Sequence, residues 1–175
     1  TVLKLDLPED ARVADLGTGT GAIALSLASE RPNWFVTASD IYAPTLEVAK
    51  YNAEQYDIEN VEFVLGSWLK PFGRQFFDAI VSNPPYIDAN DAHMSNLATE
   101  PERALVADKK GLADLEDVII QAKKHLTVNG WVVLEHGYDQ ADAVQHLFKQ
   151  AGYKQVRTVK DYGGNDRVTL AKWPH

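Results

Sequence analysis

Arg12-Val13-Ala14-Asp15-Leu16-Gly17-Thr18-Gly19-Thr20-Gly21 is the stretch on which the reading of the fold turns. It opens as a short apolar run and ends in three glycines at alternate positions. Residues 22–29, rich in Ala and Leu, follow as a predicted helix. A strand that passes through glycines into a helix forms a ligand cradle. Glycine lets the backbone approach a ligand closely, and the first helical turn offers N–H groups that lack partners within the helix. The spacing is Gly-x-Gly-x-Gly, not the Gly-x-Gly-x-x-Gly of dinucleotide binders. Asp40 closes the next strand-like run, close to the ~20-residue offset at which an acid meets ribose hydroxyls in nucleotide-binding folds. A carboxylate sits poorly beside phosphate and well beside a bare ribose. An adenosyl cofactor without pyrophosphate therefore fits this pattern better than a dinucleotide. The plainer alternative is a tight turn made by the glycines, with Asp40 capping the next helix.

Outward from this stretch, strand-like and helix-like runs alternate almost to the end of the chain. Residues 34–39, 61–65, 77–81 and 131–135 read as strands. Residues 44–56, 112–126 and 141–150 read as helices, the second of them closed by Asn129-Gly130. Such alternation implies a mostly parallel sheet with helices on both faces. Two further strands, 156–159 and 167–171, are separated only by residues 161–166, which carry Gly163-Gly164-Asn165. A parallel pair needs a crossover of about a dozen residues or more, so this pair is expected to be an antiparallel hairpin. The expected fold class is α/β: a Rossmann-like, seven-stranded, mostly parallel sheet ending in that hairpin. Residues 87–111 break the alternation. They form a long polar stretch without a hydrophobic period, and loops of that length within a compact domain are usually functional.

The most specific signal is Asn83-Pro84-Pro85-Tyr86, at the end of the fourth strand-like run. In the expected sheet order that strand lies beside the first, so the segment faces the glycine loop. An amide or aromatic amine nitrogen is a weak nucleophile because its lone pair is delocalised. Two acceptors aimed at its two N–H groups hold the nitrogen in place and favour the pyramidal form, in which the lone pair is released. The Asn83 side-chain oxygen and the Pro84 carbonyl are suited to that task. Prolines fix φ and cannot donate, so Pro84 and Pro85 stiffen the turn. Tyr86 can lie against a planar acceptor group. The segment therefore points to methyl transfer onto a planar, conjugated NH2 group. Its plainer alternative is a Pro-rich turn with a buried aromatic. Trp68, after the third strand in Gly66-Ser67-Trp68, reaches the same crevice near an adenine; ordinary packing is the alternative there.

Composition narrows the classes. With 175 residues, 45% of them hydrophobic, the chain suffices for one domain spanning 1–175. No apolar run is long enough to span a membrane, and the first residues do not look like a signal peptide. Cysteine is absent, which excludes disulfides and thiolate metal sites and fits a cytoplasmic setting. There are 17 basic and 25 acidic residues, a formal net charge of −8. An acidic chain is poorly suited to binding phosphate backbones, which weighs against nucleic acid as a partner. The five histidines have no metal-ligand spacing, and no metal is expected. Ser26 and Ser82 lack the context of a nucleophile. Glu135-His136 ends the fifth strand and is expected to stabilise a loop.

Taken together, these residues resemble the class I S-adenosylmethionine methyltransferases, and within them the peptide chain release factor glutamine N5-methyltransferases. The resemblance covers nearly the whole chain. Asp15 to Gly21 is similar to the family's cofactor loop, Asp40-Ile41 to its ribose-binding position, and Gly66-Ser67-Trp68 to its adenine side. Ser82-Asn83-Pro84-Pro85-Tyr86-Ile87 is similar to its catalytic motif. Glu100-Pro101-Glu102-Arg103-Ala104-Leu105 with Gly111-Leu112 resembles the insert after that motif, and Asp161-Tyr162-Gly163-Gly164-Asn165-Asp166-Arg167-Val168 the closing hairpin. The resemblance implies S-adenosyl-L-methionine held by Gly17, Thr18, Gly19, Thr20, Gly21, Asp40, Ile41, Ser67, Trp68 and Asn83. It implies an acceptor glutamine, in the Gly-Gly-Gln motif of a peptide chain release factor, held by Asn83, Pro84, Pro85 and Tyr86. Asn83, Pro84 and Tyr86 would be the catalytic residues. Family members carry a small helical domain upstream, which this chain is expected to lack. Two other readings stay open. One is an amino-methyltransferase acting on DNA adenine or on RNA guanine or adenine, since the Asn-Pro-Pro-Tyr motif is shared with those enzymes. The other is a nucleotide-binding oxidoreductase or a non-catalytic nucleotide-binding module.

Overall fold

The quoted run is strand β1 (Arg12–Leu16), and its burial accounts for its composition: Arg12 is exposed and the four residues after it are sealed. The computed structural model describes residues 1–84 and 112–175. The expectations for residues 87–111, and for Pro85 and Tyr86, lie outside the described residues. After β1 come α1 (Ala22–Glu30), β2 (Phe35–Asp40), α2 (Ala43–Gln55), β3 (Val61–Leu65) and β4 (Phe77–Ser82). Then follow α3 (Ala113–Ala122), β5 (Leu126–Glu135), α4 (Ala141–Gln150), β6 (Lys154–Lys160) and β7 (Asp166–Lys172).

The strands of the described residues form one seven-stranded sheet in the order β3-β2-β1-β4-β5-β7-β6. Neighbours from β3 to β5 run parallel, and β7 is antiparallel to both β5 and β6. The chain winds from β1 outward to β3 and then returns to pair β4 on the other flank of β1. That reversal opens a crevice at the carboxyl ends of β1 and β4.

Alternation along the strands places the core on both faces. Ala14, Leu16, Ile80, Val132 and Leu134 pack with Leu115 and Ile119 of α3 and Val144 and Phe148 of α4. Val13, Val36, Val81 and Val133 pack on the other face with Ala24 and Leu27 of α1. Each fully buried side chain of this kind stabilises the fold by about 1.5–3 kcal/mol. Phe148, Tyr153 and Trp173 add an aromatic cluster, with ring centroids 5.2 and 5.1 Å apart along the series.

One expected helix is shorter than its sequence pattern. The helix over 112–126 stops at Ala122, and Leu126 already belongs to β5. Leu126 pairs with Phe77, and the register slips before Ala79 meets Trp131. Asn129 takes a φ of 66° and donates its N–H to the Trp173 carbonyl at 2.8 Å. Cross-strand partners distant in sequence claim backbone groups that a local reading assigns to a helix end. The hairpin is as expected, with β6 antiparallel to β7.

Candidate functional site

The crevice is assembled on one cross-strand level. Leu16 pairs with Ser39 on β2 and with Ser82 on β4, so the loops after all three strands emerge together. Ser82 Oγ ties the level by donating to the Leu16 carbonyl at 2.8 Å. Gly17, Gly19 and Gly21 have φ of 67°, 57° and 87°. The alternate-position spacing thus reflects a backbone that enters the left-handed region three times in five residues. Space matters as well at two of them. A Cβ on Gly21 would lie 3.1 Å from Leu25 and 3.2 Å from Ala49, and one on Gly17 would lie 3.3 Å from the Trp68 ring. A Cβ on Gly19 would meet nothing within 4 Å, so this glycine borders open space.

Two carboxylates hold the loop. Gly21 is the N-cap of α1 and has no side chain to cap with. Asp15 does that work from the strand: its Oδ2 accepts from Ala24 N–H at 3.1 Å and from the Thr18 hydroxyl at 2.7 Å. Asp15 is only 1% exposed. Burial pushes its carboxyl up from 3.8 to about 6, against the lowering by Thr18 and Ala24; the charge of Asp40 adds to the rise. Asp40 follows at the end of β2, where its Oδ2 accepts from Gly19 N–H at 3.0 Å and its Oδ1 from Tyr42 N–H at 2.9 Å. Asp40 does not cap α2, whose N-cap is Tyr42 with no side-chain cap bond; one oxygen closes a turn onto the Tyr42 N–H ahead of the helix, while the other braces the glycine loop.

The remaining residues singled out from the sequence fall around this frame. Thr18 is buried and Thr20 exposed, with the Thr20 carbonyl accepting from Asn52 at 3.0 Å. Ile41 is exposed beside Asp40. Ser67 is half-buried. Trp68 has a φ of 50°, its carbonyl accepts from Ser39 Oγ at 3.1 Å, and its ring packs against both Gly17 and the core. Trp68 is therefore a wall of the crevice and a packing residue at once. Asn83 is exposed at the end of β4, and Pro84 is buried. Pro85 and Tyr86 lie outside the described residues.

Asp15 is the site residue whose role the sequence reading missed. Its signal was present, an acid within an otherwise apolar strand, but a cap delivered from seven residues before the helix is not a local pattern. His136 behaves as expected for a loop stabiliser. It is fully buried, with Nδ1 2.8 Å from the Gly137 carbonyl and Nε2 2.7 Å from Thr169 Oγ1. Burial, above all, holds its pKa below the ordinary imidazole value. Among the described residues no three His, Asp or Glu side chains gather as metal ligands, and no helix is long and apolar enough to cross a membrane. A groove of about 340 Å³ lined by Leu3, Leu5, Leu7 and Trp34 lies before the amino ends of β1 and β2, away from the glycine loop.

Comparison with known proteins bears on this geometry. A family model described as methyltransferase small domain matches residues 2–162. The chain is 47% identical over 169 residues to a release factor glutamine methyltransferase of Aliivibrio fischeri, covering 95% of this chain and 60% of the relative. It is 52% identical over 164 residues to one from Yersinia pestis (93% and 59% covered). It is 45% identical over 170 residues to one from Escherichia coli (95% and 61% covered). The chain thus spans about 60% of the length of the curated relatives it matches. Among solved structures, a methyltransferase from Pyrococcus furiosus aligns with a TM-score of 0.76 at 22% identity, covering 99% of this chain and 80% of that one. A ribosomal protein L11 methylase from Lactobacillus delbrueckii aligns with a TM-score of 0.73 at 21% identity (99% and 74% covered). These two likenesses are of fold.

Proposed function

The chain belongs to the methyltransferase small domain family, and from that premise we propose that it methylates the side-chain amide nitrogen of the glutamine in the Gly-Gly-Gln motif of a peptide chain release factor, with S-adenosyl-L-methionine as donor. The fold is the Rossmann-like class I methyltransferase fold. Residues 1–175 are read as one such domain. The observation that carries the proposal is Asn83: an exposed amide at the end of β4, one residue past the strand level shared with the glycine loop of β1. Identities of 45–52% to proteins named release factor glutamine methyltransferase support the choice of acceptor.

The residues present fit the donor. Gly19 borders open space, Gly17 lies against the Trp68 ring, and Asp40 stands at the edge of the crevice. An ionised carboxylate has about four acceptor sites; the two bonds to Gly19 and Tyr42 leave capacity for ribose hydroxyls. Ile41, Ser67 and Trp68 would line the adenine side, and Thr18 and Thr20 complete the loop. When bound, S-adenosylmethionine supplies an electrophilic methyl group on a positively charged sulfur. The chain's own part is to position the nucleophile. Asn83 and the Pro84 carbonyl accept the two N–H groups of the glutamine amide, holding its nitrogen at the mouth of the cradle with the lone pair turned inward. The family resemblance assigns Pro85 and Tyr86, which lie outside the described residues, to the same acceptor site. Such positioning contributes several kcal/mol, up to about 7–11 in ideal systems. The product nitrogen loses its proton to water after transfer, so no strong base is needed in the site. A translation factor as acceptor makes the cytoplasm the place of action.

The test is a methylation assay with a release factor, its Gln→Ala variant at the Gly-Gly-Gln motif, duplex DNA and RNA side by side. The expected result is one methyl group on the release factor, lost in the variant. Transfer to a nucleic acid amine without transfer to the release factor would establish the competing acceptor class instead.

A further inference from the structure

The turn between β6 and β7 takes no part in the site described so far, yet the register of the sheet brings it to the same edge. Ser82 pairs with Leu134, Leu134 with Thr169, and Thr169 with Thr158, one level across four strands. Asn83, next along β4, stands at the level of Glu135, Val168 and Val159. The chain between Val159 and Val168 therefore projects beyond the edge at which Asn83 emerges. Two strand spacings, roughly 10 Å, separate β4 from β7, and three residues of projection add roughly 10 Å in height. The hairpin is a wall on the acceptor side of Asn83, with the glycine loop on the other side.

That wall is stiff. Asp161 Oδ1 accepts from the Gly163 and Asn165 N–H groups at 2.9 and 3.0 Å, and its Oδ2 faces the Arg167 guanidinium at 3.4 Å. The Asp161 N–H donates to the Asn165 carbonyl at 2.8 Å, and Lys160 Nζ to the Gly164 carbonyl at 3.0 Å. The bonds that the carboxylate accepts, that from the Asn165 N–H foremost and then those from Arg167 and the Gly163 N–H, hold the Asp161 carboxyl below its ordinary range. In the middle of this rigid turn Tyr162 is fully exposed, and Tyr138, after β5 on the same edge, is 59% exposed. Rings held clear of their own protein do little for folding. Tyrosine is also a side chain that yields much binding energy for little lost conformational freedom. The surroundings are acidic: Glu135, Asp139, Asp161 and Asp166 stand with Lys160 and Arg167, and both cations are already paired, with Asp166 and Asp161.

We propose that Tyr162, seconded by Tyr138, docks the body of the protein acceptor outside its reacting glutamine, on a surface that offers an apolar socket for the ring flanked by basic side chains. This rests on the proposed function, since it takes the acceptor to be a folded protein. Steady-state kinetics with an intact release factor, alongside calorimetric cofactor binding and thermal melting, test it in Tyr162→Ala, Tyr162→Phe and Asp161→Ala. In Tyr162→Ala, KM for the release factor should rise about tenfold or more, with kcat within about twofold and both cofactor affinity and Tm unchanged. Tyr162→Phe should keep KM close to the native value. Asp161→Ala, which loosens the turn but keeps the ring, should raise KM by a smaller factor. A native KM in Tyr162→Ala, while the release factor is still methylated, overturns the docking site and leaves the proposed function standing. Failure of the unaltered chain to methylate any release factor overturns both.

Discussion

The β1–β2 side of the crevice and the β4–β5 side are ordered by different means. On the first, the backbone passes three times through left-handed φ, and two carboxylates hold it by two hydrogen bonds each: Asp15 accepts from Ala24 and Thr18, Asp40 from Gly19 and Tyr42. On the second, order comes from strand pairing that is in register from Ala79 to Ser82, in which β5 lies between β4 and β7 and Asn83 simply follows the last paired residue. The first side concentrates buried charge under a loop, so protons and single atoms control it. The second spreads its order over many backbone bonds, so a side chain there can be altered for chemistry with little effect on shape.

That contrast is open to direct attack. The largest effect is expected on the strand-ordered side. Asn83→Ala should slow single-turnover transfer to a release factor by about 10²–10³, the loss seen when one preorganised polar contact is removed, while weakening cofactor binding far less. Asn83→Asp keeps an acceptor oxygen and should fall between. Native transfer by Asn83→Ala would reduce Asn83 to a turn residue.

The loop-ordered side should instead respond to pH. Because burial raises the folded-state pKa of Asp15 from 3.8 to about 6, the folded chain binds its proton more tightly than the unfolded chain does. Its contribution to stability is greatest below pH 4 and is lost as pH rises toward 6, by about 3 kcal/mol in all. Asp15→Asn removes that slope. Relative to the native protein, the variant should gain about 3 kcal/mol between pH 4 and pH 7 in denaturant titrations. Parallel stability profiles would show that the carboxyl is not the strained group.

The smallest of the three effects is expected at Asp40. On the proposed assignment of Asp40 to the ribose hydroxyls, Asp40→Ala removes that acceptor and releases Gly19 N–H, a loss of about 1.5–3 kcal/mol in cofactor binding. Calorimetry that finds S-adenosylmethionine bound as tightly as before would leave Asp40 as a brace for the loop and nothing more.

What the sequence by itself determined were the features with a local cause. Strands β1 and β3 keep their expected bounds and α4 keeps its own, because hydrophobic periodicity and adjacent turn residues act within a few positions. The β6–β7 hairpin was legible because so short a connection cannot support a parallel crossover. The three glycines at alternate positions were legible as a backbone turn, and the structure gives each of them a left-handed φ. Tertiary structure alone decided the rest. Leu126 left its expected helix because Phe77, distant in sequence, supplies its strand partner. Asp15 became a buried, proton-sensitive cap because α1 folds back over β1 and presents Ala24 N–H to it. The turn that carries Tyr162 rises from the end of the sheet at which β4 stops, two strands from Asn83, because β7 joins the sheet next to β5. Burial, charge proximity and strand adjacency depend on residues that meet only after the chain has folded, and the physical consequences of each, a shifted pKa or a shared edge, arise at that point.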